Sequence, residues 1–228
     1  MIQLSKDHSD ISVIGVGAHR ACYIHPDDPQ KCIKIIYNPS DIALKEIKRE
    51  LSYYRHLNTY LKDWRGISRF YGVVQTNLGN GYVYDRIMDF DGQSSKTLGD
   101  YYKNGELSDQ ELSLLIEKLK KYIWDNLIVT MALKPHNILC HRVSQTEIFP
   151  VVCDNIGFAQ RIPLVLYWPW FCHQKQKRLF QRFDRYMEKY LANLKKHSNY
   201  VQERFVCSVS SNCGAGLPDS SAFLCMRS

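Results

Sequence analysis

The chain has 228 residues, of which 45% are hydrophobic and 23% charged; this composition is typical of a folded globular protein and excludes a disordered, collagen-like or coiled-coil chain. No run reaches the roughly 18 apolar residues that a membrane span needs, and the N-terminus lacks the basic and apolar segments of a signal peptide. We therefore expect a cytoplasmic protein without a transmembrane segment.

The sequence contains eight cysteines and has a net charge of +7, and these features bear on its redox state, on metal binding and on the charge of its partners. Without a signal peptide the cysteines are expected to be free thiols, and the absence of any C-x-x-C pair gives a zinc site little support.

The charge is unevenly distributed along the chain. Residues 1–160 hold 19 basic and 19 acidic residues, whereas residues 161–228 hold 11 basic and 4 acidic residues. Any attraction to an anionic partner should therefore originate in the last third of the chain.

In the N-terminal part, apolar and turn-forming residues predict strands, one helix and a hairpin. The apolar residues of the helix recur every three to five positions, and the turn of the hairpin contains glycine and asparagine, which tolerate positive φ. The predicted ranges are strands 11–17, 21–24 and 32–37, a turn at 25–29, a helix at 41–61, and hairpin strands 67–74 and 81–88 around a turn at 78–81.

In the second half, a helix over 108–126 begins with Ser108 followed three residues later by Glu111, the capping-box pattern. Two further strands are predicted at 138–141 and 149–153. An amphipathic helix is predicted over 179–196. The chain beyond it is rich in serine, glycine and cysteine without a period, so residues 206–228 are expected to form a flexible tail.

A glycine pair lies between the first two predicted strands. Gly15 and Gly17 would let backbone N–H groups approach phosphate oxygens without a Cβ in the way. Arg20 stands where a full G-x-G-x-x-G pattern has its third glycine. Taken alone, the segment fits a plain β-turn better than a phosphate loop.

A lysine and a glutamate follow in an order that suggests an ion pair. Lys34 lies between apolar residues inside a predicted strand, where burial without an anion is costly. Glu50 on the next helix is a suitable partner, and Glu46, one turn earlier on the same face, competes for that role. The alternative is an edge-strand lysine and a helix glutamate that both face solvent.

Two oxygen-bearing side chains occur 17 residues apart, at the edges of the last two predicted strands. Asn137 and Asp154 are ligands of the kind that Mg²⁺ prefers together with phosphate oxygens. The intervening residues are enough for a β-hairpin, which would bring the two side chains to one end.

The order of these features, with Lys134-Pro135-His136-Asn137 and Asp154-Asn155-Ile156-Gly157, resembles the protein-kinase-like fold. Across almost all of residues 1–200 the chain looks like the YrbL family of PhoP regulatory network proteins. The segments that carry this closer similarity are CIKIIY, KEIKREL, YLKDWRGI, GYVYD, VTMALKPHNILCHR and PVVCDNIG.

The resemblance implies an α+β, two-lobed fold with ATP in the cleft. Residues 1–88 would form a small β-rich N-lobe and residues 89–205 a reduced helical C-lobe. The glycine pair would cover the nucleotide, and Asp85 would be one of the residues that bind it. The backbone that links the lobes just after Asp85, at 89–92, would meet the adenine ring. The Asp89-Phe90-Asp91-Gly92 run itself comes too early in the chain to act as the metal-binding D-F-G.

By the same resemblance, Lys34 would contact the α- and β-phosphates and Glu50 would hold Lys34. Asn137 and Asp154 would hold Mg²⁺, and Lys134 would be retained from the catalytic loop.

The departures from the kinase pattern concern catalysis. Ala132 occupies the position of the catalytic aspartate and cannot accept a proton. The phenylalanine of D-F-G is replaced, no A-P-E follows, and only 71 residues come after Gly157. His136 is a conceivable substitute base, although a packing or surface histidine is the more common case, and Asp125 is a weaker one.

Three functions are compatible with these observations. A regulatory pseudokinase that binds ATP and Mg²⁺ fits best, and a weak or atypical phosphotransferase acting on a protein or small molecule is the alternative. The third is a basic module for an anionic surface, formed by the aromatic run 167–171 and the cations from Lys175 to Arg185. The plainer interpretation of that segment is an aromatic corner that packs the C-lobe beside a solvated basic face. The protein partner or substrate stays open.

Overall fold

A computed structural model describes residues 1–7, 10–17, 19–158 and 164–211. The chain forms two compact units, Met1–Met187 and Glu188–Ser228. In the described part of the second unit, the backbone continues the last helix. The elements are β1 Val13–Val16, β2 Arg20–His25, β3 Asp28–Ile36, α1 Asp41–Tyr60, β4 Phe70–Thr76, β5 Gly79–Asp85, α2 Leu98–Lys103, α3 Asp109–Asp125, a 3₁₀ turn Pro135–Asn137, β6 Ile138–Arg142, β7 Ile148–Val152, α4 Leu164–Tyr167 and α5 Pro169–Ser211.

Five strands form one antiparallel sheet in the order β1-β2-β3-β5-β4. Because side chains alternate between the faces of a strand, one face carries the apolar residues of a buried cluster. The cluster consists of Leu4, Ala21, Tyr23, Ile33, Ile35 and Val83. The opposite face of the same strands presents Cys22, Lys34 and Tyr82, which lie side by side in register. The polar face is the one that forms the candidate site.

Helix α1 connects β3 to β4. Its N-cap is Ser40, whose side chain accepts a hydrogen bond from the Ala43 amide at 3.2 Å, so one unpaired N–H of the first turn is satisfied. The buried side of the helix carries one charged residue, Glu50, among apolar and aromatic ones. The helix predicted over 41–61 is confirmed, and it delivers a carboxylate to the interior.

The second half of the first unit contains a helix, a hairpin and the beginning of α5. The predicted capping box of α3 is present, with Ser108 and Glu111 bonded reciprocally. The strands β6 and β7 pair antiparallel as a two-stranded sheet. Helix α5 packs on α3 through Gln176, whose amide donates to the carbonyls of Ile123 at 2.7 Å and Ile128 at 3.0 Å. The apolar residues that α5 buries at helical spacing are Cys172, Leu179, Phe183 and Met187.

The mixed α+β class is confirmed, and several element boundaries differ from the predictions. The hairpin turn lies at 77–78 rather than 78–81, and α2 was not predicted at all. Helix α5 begins at Pro169, ten residues before the predicted start, because proline is well suited to the first turn of a helix. Of the predicted tail, 206–211 continue α5 and 212–228 lie outside the described residues. The lobe division at residue 88 stays a prediction.

The described cysteines include five free thiols, as expected. Among the described residues, no helix combines the length and apolar character needed to cross a membrane. Over the same ranges, no three His, Cys, Asp or Glu side chains gather as a metal site.

Candidate functional site

Lys34 lies in the middle of the five-stranded sheet, which removes the edge-strand alternative. The residue is only 9% exposed. Its Nζ donates to the carbonyl of Cys153 at 2.5 Å and lies 3.6 Å from Asp154 Oδ1. It also lies 4.5 Å from the centre of the Tyr84 ring. The buried ammonium group thus has an anion, a carbonyl and an aromatic face around it.

Glu50 is fully buried, but its carboxylate pairs with Arg20 and not with Lys34. Arg20 Nη1 donates to Oε2 at 3.0 Å, and the Tyr84 hydroxyl donates to Oε1 at 2.8 Å. Among the described residues no ion pair joins Glu50 to Lys34, so the predicted direct pairing is wrong. Glu46 is half exposed and does not replace it. The guanidinium fork of Arg20 is better suited than an ammonium group to hold two carboxylates at once.

Arg20 is the residue that links the two acids of the site. Its Nη2 lies 2.9 Å from Asp154 Oδ1 while its Nη1 holds Glu50. The predictions from sequence treated Arg20 only as a missing glycine. The signal that could have revealed its role was a basic side chain at the position where a full G-x-G-x-x-G pattern has its third glycine.

The β6–β7 hairpin brings Asn137 and Asp154 to one end, as predicted. Ile138 lies opposite Val152, and the Cys153 amide donates to the Asn137 carbonyl at 3.0 Å. Asn137 is 7% exposed, and within the described ranges its side-chain amide makes no hydrogen bond. The two predicted metal ligands therefore flank the same pair of strand ends.

The segment after Asp154 runs against α1. Gly157 has φ of +140°, a conformation that side chains rarely adopt. A Cβ at this position would lie 3.7 Å from the Glu50 Cα. The glycine conformation therefore keeps the Asp154 loop in contact with the turn of α1 that carries Glu50.

Asp154 is partly buried and has two cations beside its carboxylate. Burial raises the pKa of its carboxyl, but Lys34 and Arg20 outweigh that effect, and the net pKa lies below its usual value. Burial lowers the pKa of Lys34, but Asp154 and Glu50 raise it, and the net pKa lies above its usual value. Both groups are therefore charged at neutral pH. Asp154 Oδ1 is buried and accepts no hydrogen bond from a described residue despite its two ion pairs.

The glycine pair forms the open end of the site. Gly17 donates its amide to the Arg20 carbonyl at 2.8 Å, and the Tyr37 hydroxyl donates to the Gly17 carbonyl. Gly15 has no positive φ, and a Cβ added there would meet no described atom within 4 Å. Neither packing nor backbone conformation in this structure requires glycine at 15.

Asp85 is already occupied by contacts within the protein. Its carboxylate accepts from the Arg69 amide at 2.9 Å and from the Tyr71 hydroxyl at 2.7 Å. Its own amide donates to the Arg69 carbonyl and its carbonyl accepts from Ser68 Oγ, each at 3.0 Å. The polar groups of Asp85 thus all have partners within the protein, and its predicted role in nucleotide binding stays a prediction. Asp89, which the predictions dismissed as a metal ligand, accepts from Ser95 and Arg142.

The catalytic-loop segment has no carboxylate at position 132. Lys134 is half-buried and precedes the 3₁₀ turn, where its carbonyl accepts from the Asn137 amide at 2.9 Å. His136 is exposed; burial and then Lys134 lower its pKa, while Asp154 raises it. The Asp125 carboxylate pairs with Lys121 at 2.8 Å on the surface of α3. His136 therefore lies within electrostatic reach of Asp154, whereas Asp125 is paired on the surface of α3.

Together Lys34, Arg20, Glu50 and Asp154 form one network of two cations and two carboxylates, and Asn137 lies beside it at the end of the β6–β7 hairpin. A hard cation such as Mg²⁺ fits Asp154 and Asn137, because Asp154 has a buried oxygen without a hydrogen bond and Asn137 has a free amide oxygen. When bound, Mg²⁺ would neutralise charge on phosphate oxygens. Lys34 and Arg20 would supply the remaining positive charge on the sheet side.

Comparison with known proteins gives the family. The family described as PhoP regulatory network protein YrbL matches residues 2–188 of the chain. YrbL of Escherichia coli (strain K12) and YrbL of Shigella flexneri are each 52% identical to it over 185 residues, which cover 80% of this chain and 86% of each relative. The chain therefore belongs to the YrbL family of PhoP regulatory network proteins.

Proposed function

We propose that this chain is a kinase-like regulator that binds ATP together with Mg²⁺ and reports the bound nucleotide through its conformation. The observation that carries the proposal is the convergence of Lys34 from β3, Glu50 from α1 and Asp154 from the end of β7 on one buried charge network. Buried charges of this kind are often less stabilising than well-packed apolar residues would be. Their presence is therefore better explained by binding of an anionic ligand than by stability.

The order of elements supports a kinase-like arrangement. An antiparallel five-stranded sheet with one helix inserted after the lysine strand precedes the loop and hairpin that carry Asn137 and Asp154. In phosphoryl-transfer enzymes of that kind, the lysine contacts phosphates and the asparagine and aspartate hold metal. The proposed roles of these residues follow from their matching positions along the chain.

Because Ala132 occupies the position of the catalytic aspartate, we favour a regulatory role over catalysis. A positioned general base contributes about 10²- to 10⁴-fold to a reaction, and no carboxylate replaces it at this position. Phosphoryl transfer depends mainly on positioning and charge, and those parts are retained in Lys34, Lys134, Asn137 and Asp154. We therefore expect binding to be strong relative to turnover.

The proposal predicts that ATP with Mg²⁺ stabilises the protein. At a ligand concentration of about 100 Kd, binding adds about 2.7 kcal/mol, which raises the Tm of a chain of this size by roughly 5–10 °C. Differential scanning fluorimetry with ATP alone, Mg²⁺ alone and both measures the effect. The matched variant Asp154→Asn keeps the size of the side chain and should lose the part that depends on Mg²⁺. Equal shifts in the two proteins, or no shift at millimolar ligand, would contradict the proposal.

Gly15 offers a second test that separates binding from folding. Because a Cβ meets no described atom there, Gly15→Val should leave the Tm of the ligand-free protein within about 1–2 °C, as expected for a surface change. The same side chain would obstruct approach of the β1–β2 loop to phosphate, so we expect at least tenfold weaker ATP binding, or about 1.4 kcal/mol. Isothermal titration calorimetry measures the affinity of both proteins for ATP. Gly72→Ala is not a suitable control, because the φ of +148° at Gly72 would strain any other residue.

A slow phosphotransferase is the second candidate, favoured by the position of His136 near Lys134 and Asp154. This candidate differs from the proposed regulator only in that it turns over ATP. Release of ADP that depends on Mg²⁺ and disappears in Asp154→Asn would favour it, whereas saturable binding without ADP release supports the regulator.

A further inference from the structure

One face of helix α5 carries a row of cations that the nucleotide site does not use. Lys175, Arg178, Arg182 and Arg185 follow one another at intervals of three and four residues, so they lie on a single stripe. The three arginines are exposed, and Lys175 is half-buried. The stripe belongs to the first compact unit and points away from the buried side of the helix, which carries Leu179 and the apolar residues at its spacing.

None of these four cations forms an ion pair with a described residue. The only acid between residues 161 and 187 is Asp184, and its carboxylate pairs with Lys120 on α3 at 2.5 Å. Burial and then the neighbouring Arg182 and Arg178 lower the pKa of Lys175. Like charges one helical turn apart repel each other. An anion from outside the described chain would relieve that repulsion.

A shallow groove opens between the same side chains. Its volume is about 310 Å³, and Gln181 completes its lining beside the four cations. Because one water molecule occupies about 30 Å³ of liquid, the groove has room for a phosphate-bearing group with its solvent. Its lining offers guanidinium donors, which suit phosphate oxygens.

An exposed aromatic cluster lies at the N-terminal end of the stripe. Trp168 is 55% and Trp170 64% exposed, and both contact Phe171, with ring centres 6.2 and 4.9 Å apart. Phe171 precedes Lys175 by one helical turn, so the cluster and the stripe are continuous. The arrangement differs from the predicted aromatic corner, because the two tryptophans pack on Phe171 while more than half of each tryptophan faces solvent.

We propose that this basic-aromatic surface, formed by Trp168, Trp170, Phe171, Lys175, Arg178, Arg182 and Arg185, docks on an anionic phospholipid bilayer. A bilayer interface provides a layer of phosphates for the cations and, next to it, a region where tryptophan rings are favoured. The attachment is peripheral: α5 lies on the bilayer and its apolar side stays packed against α3.

The ring geometry favours a bilayer over a nucleic acid. Single strands are bound by separate aromatic faces on which bases stack in succession. Here the Trp170 and Phe171 rings meet at 83° and the Trp168 and Phe171 rings at 63°, edge to face. The three rings therefore form one compact apolar projection, which matches insertion at the level of lipid head groups better than stepwise stacking.

Vesicle flotation with the full chain tests the docking. The protein should float with vesicles of phosphatidylcholine and phosphatidylglycerol and stay behind with phosphatidylcholine alone. The triple variant Arg178→Gln, Arg182→Gln, Arg185→Gln should bind the anionic vesicles roughly 100-fold more weakly, since each basic residue near such a surface contributes about a factor of five. Trp168→Ala with Trp170→Ala should remove the binding that persists at high salt.

A matched control separates local docking from net charge. Lys45, Lys48 and Lys62 are exposed and lie outside α5, so changing all three to Gln removes the same charge and should leave binding unchanged. Circular dichroism and the Tm establish that each variant is folded. Equal loss in the two triple variants, binding to neutral vesicles alone, or release from anionic vesicles by a short single-stranded oligonucleotide at equal phosphate concentration would overturn the proposal. The last result would assign the surface to nucleic acid.

Discussion

Replacing Glu50 by alanine is expected to lower the free energy of unfolding by about 3–5 kcal/mol, the cost of breaking a buried ion pair by removing one partner. The carboxylate is fully buried, and it is the acceptor for both Arg20 Nη1 and the Tyr84 hydroxyl. Without it, the Tyr84 hydroxyl and one arm of the guanidinium lose their partner inside the protein. Urea unfolding followed by circular dichroism measures the change.

Glu46 provides the matched control, because it lies one turn earlier on α1 and is half exposed. Glu46→Ala should change the free energy of unfolding by no more than about 0.5 kcal/mol, as for an ordinary surface substitution. Tyr84→Phe should cost about 1.5–3 kcal/mol, the value of a hydrogen bond to a charged group. Similar losses in Glu46→Ala and Glu50→Ala would contradict the network, since they would show that burial of Glu50 has no special cost.

The features that sequence reasoning predicted well are those set by neighbouring residues. The capping box of α3 depends on Ser108 and Glu111 alone, and both contacts are present. The placement of Asn137 and Asp154 at one end of a hairpin needs only two paired strands between them, which the strand patterns on both sides supply. In each case the distance along the chain is short, so local propensity and spacing decide the outcome.

The partner of Glu50 could not be predicted in this way. Arg20 and Lys34 are both on the polar face of the sheet, and each is close enough to Glu50 to affect its surroundings. Which cation binds the acid depends on side-chain reach and on the position of Asp154, 104 residues further along than Glu50. A single sequence contains no information on that competition, whereas the fork shape of arginine decides it in the folded protein.

The start of α5 is a second feature that could not be predicted from the sequence. The helix was predicted to begin at residue 179, yet Pro169 is its first residue. Proline interrupts a helix in its interior and is favoured in its first turn. The sequence alone did not distinguish these positions, because the exposed aromatic residues that follow Pro169 have no apolar periodicity of their own.

Arg20 is expected to have two roles: it stabilises the fold through Glu50, and it competes with Mg²⁺ for Asp154. Arg20→Gln should separate these roles, because it should lower stability and strengthen Mg²⁺ binding. Loss of the bond to Glu50 should lower the free energy of unfolding by about 1.5–3 kcal/mol, the worth of a hydrogen bond to a charged group. The cost is smaller than for Glu50→Ala because Lys34 remains on the same face as a positive neighbour. Arg20→Lys keeps the charge but cannot hold both acids, so it should lose a similar part of the stability.

The same substitution should make Mg²⁺ bind more tightly. In the present structure Arg20 Nη2 lies 2.9 Å from Asp154 Oδ1, on the carboxylate that the metal would use. Two unit charges about 4 Å apart interact by about 4 kcal/mol near a protein surface, so even partial relief should lower the half-saturating Mg²⁺ concentration by about tenfold or more in Arg20→Gln. The Mg²⁺ dependence of the thermal shift at fixed ATP measures it, with Arg20→Lys expected to stay near the wild type. A higher Mg²⁺ requirement together with weaker ATP binding in Arg20→Gln would mean that the guanidinium binds phosphate directly and does not compete with the metal.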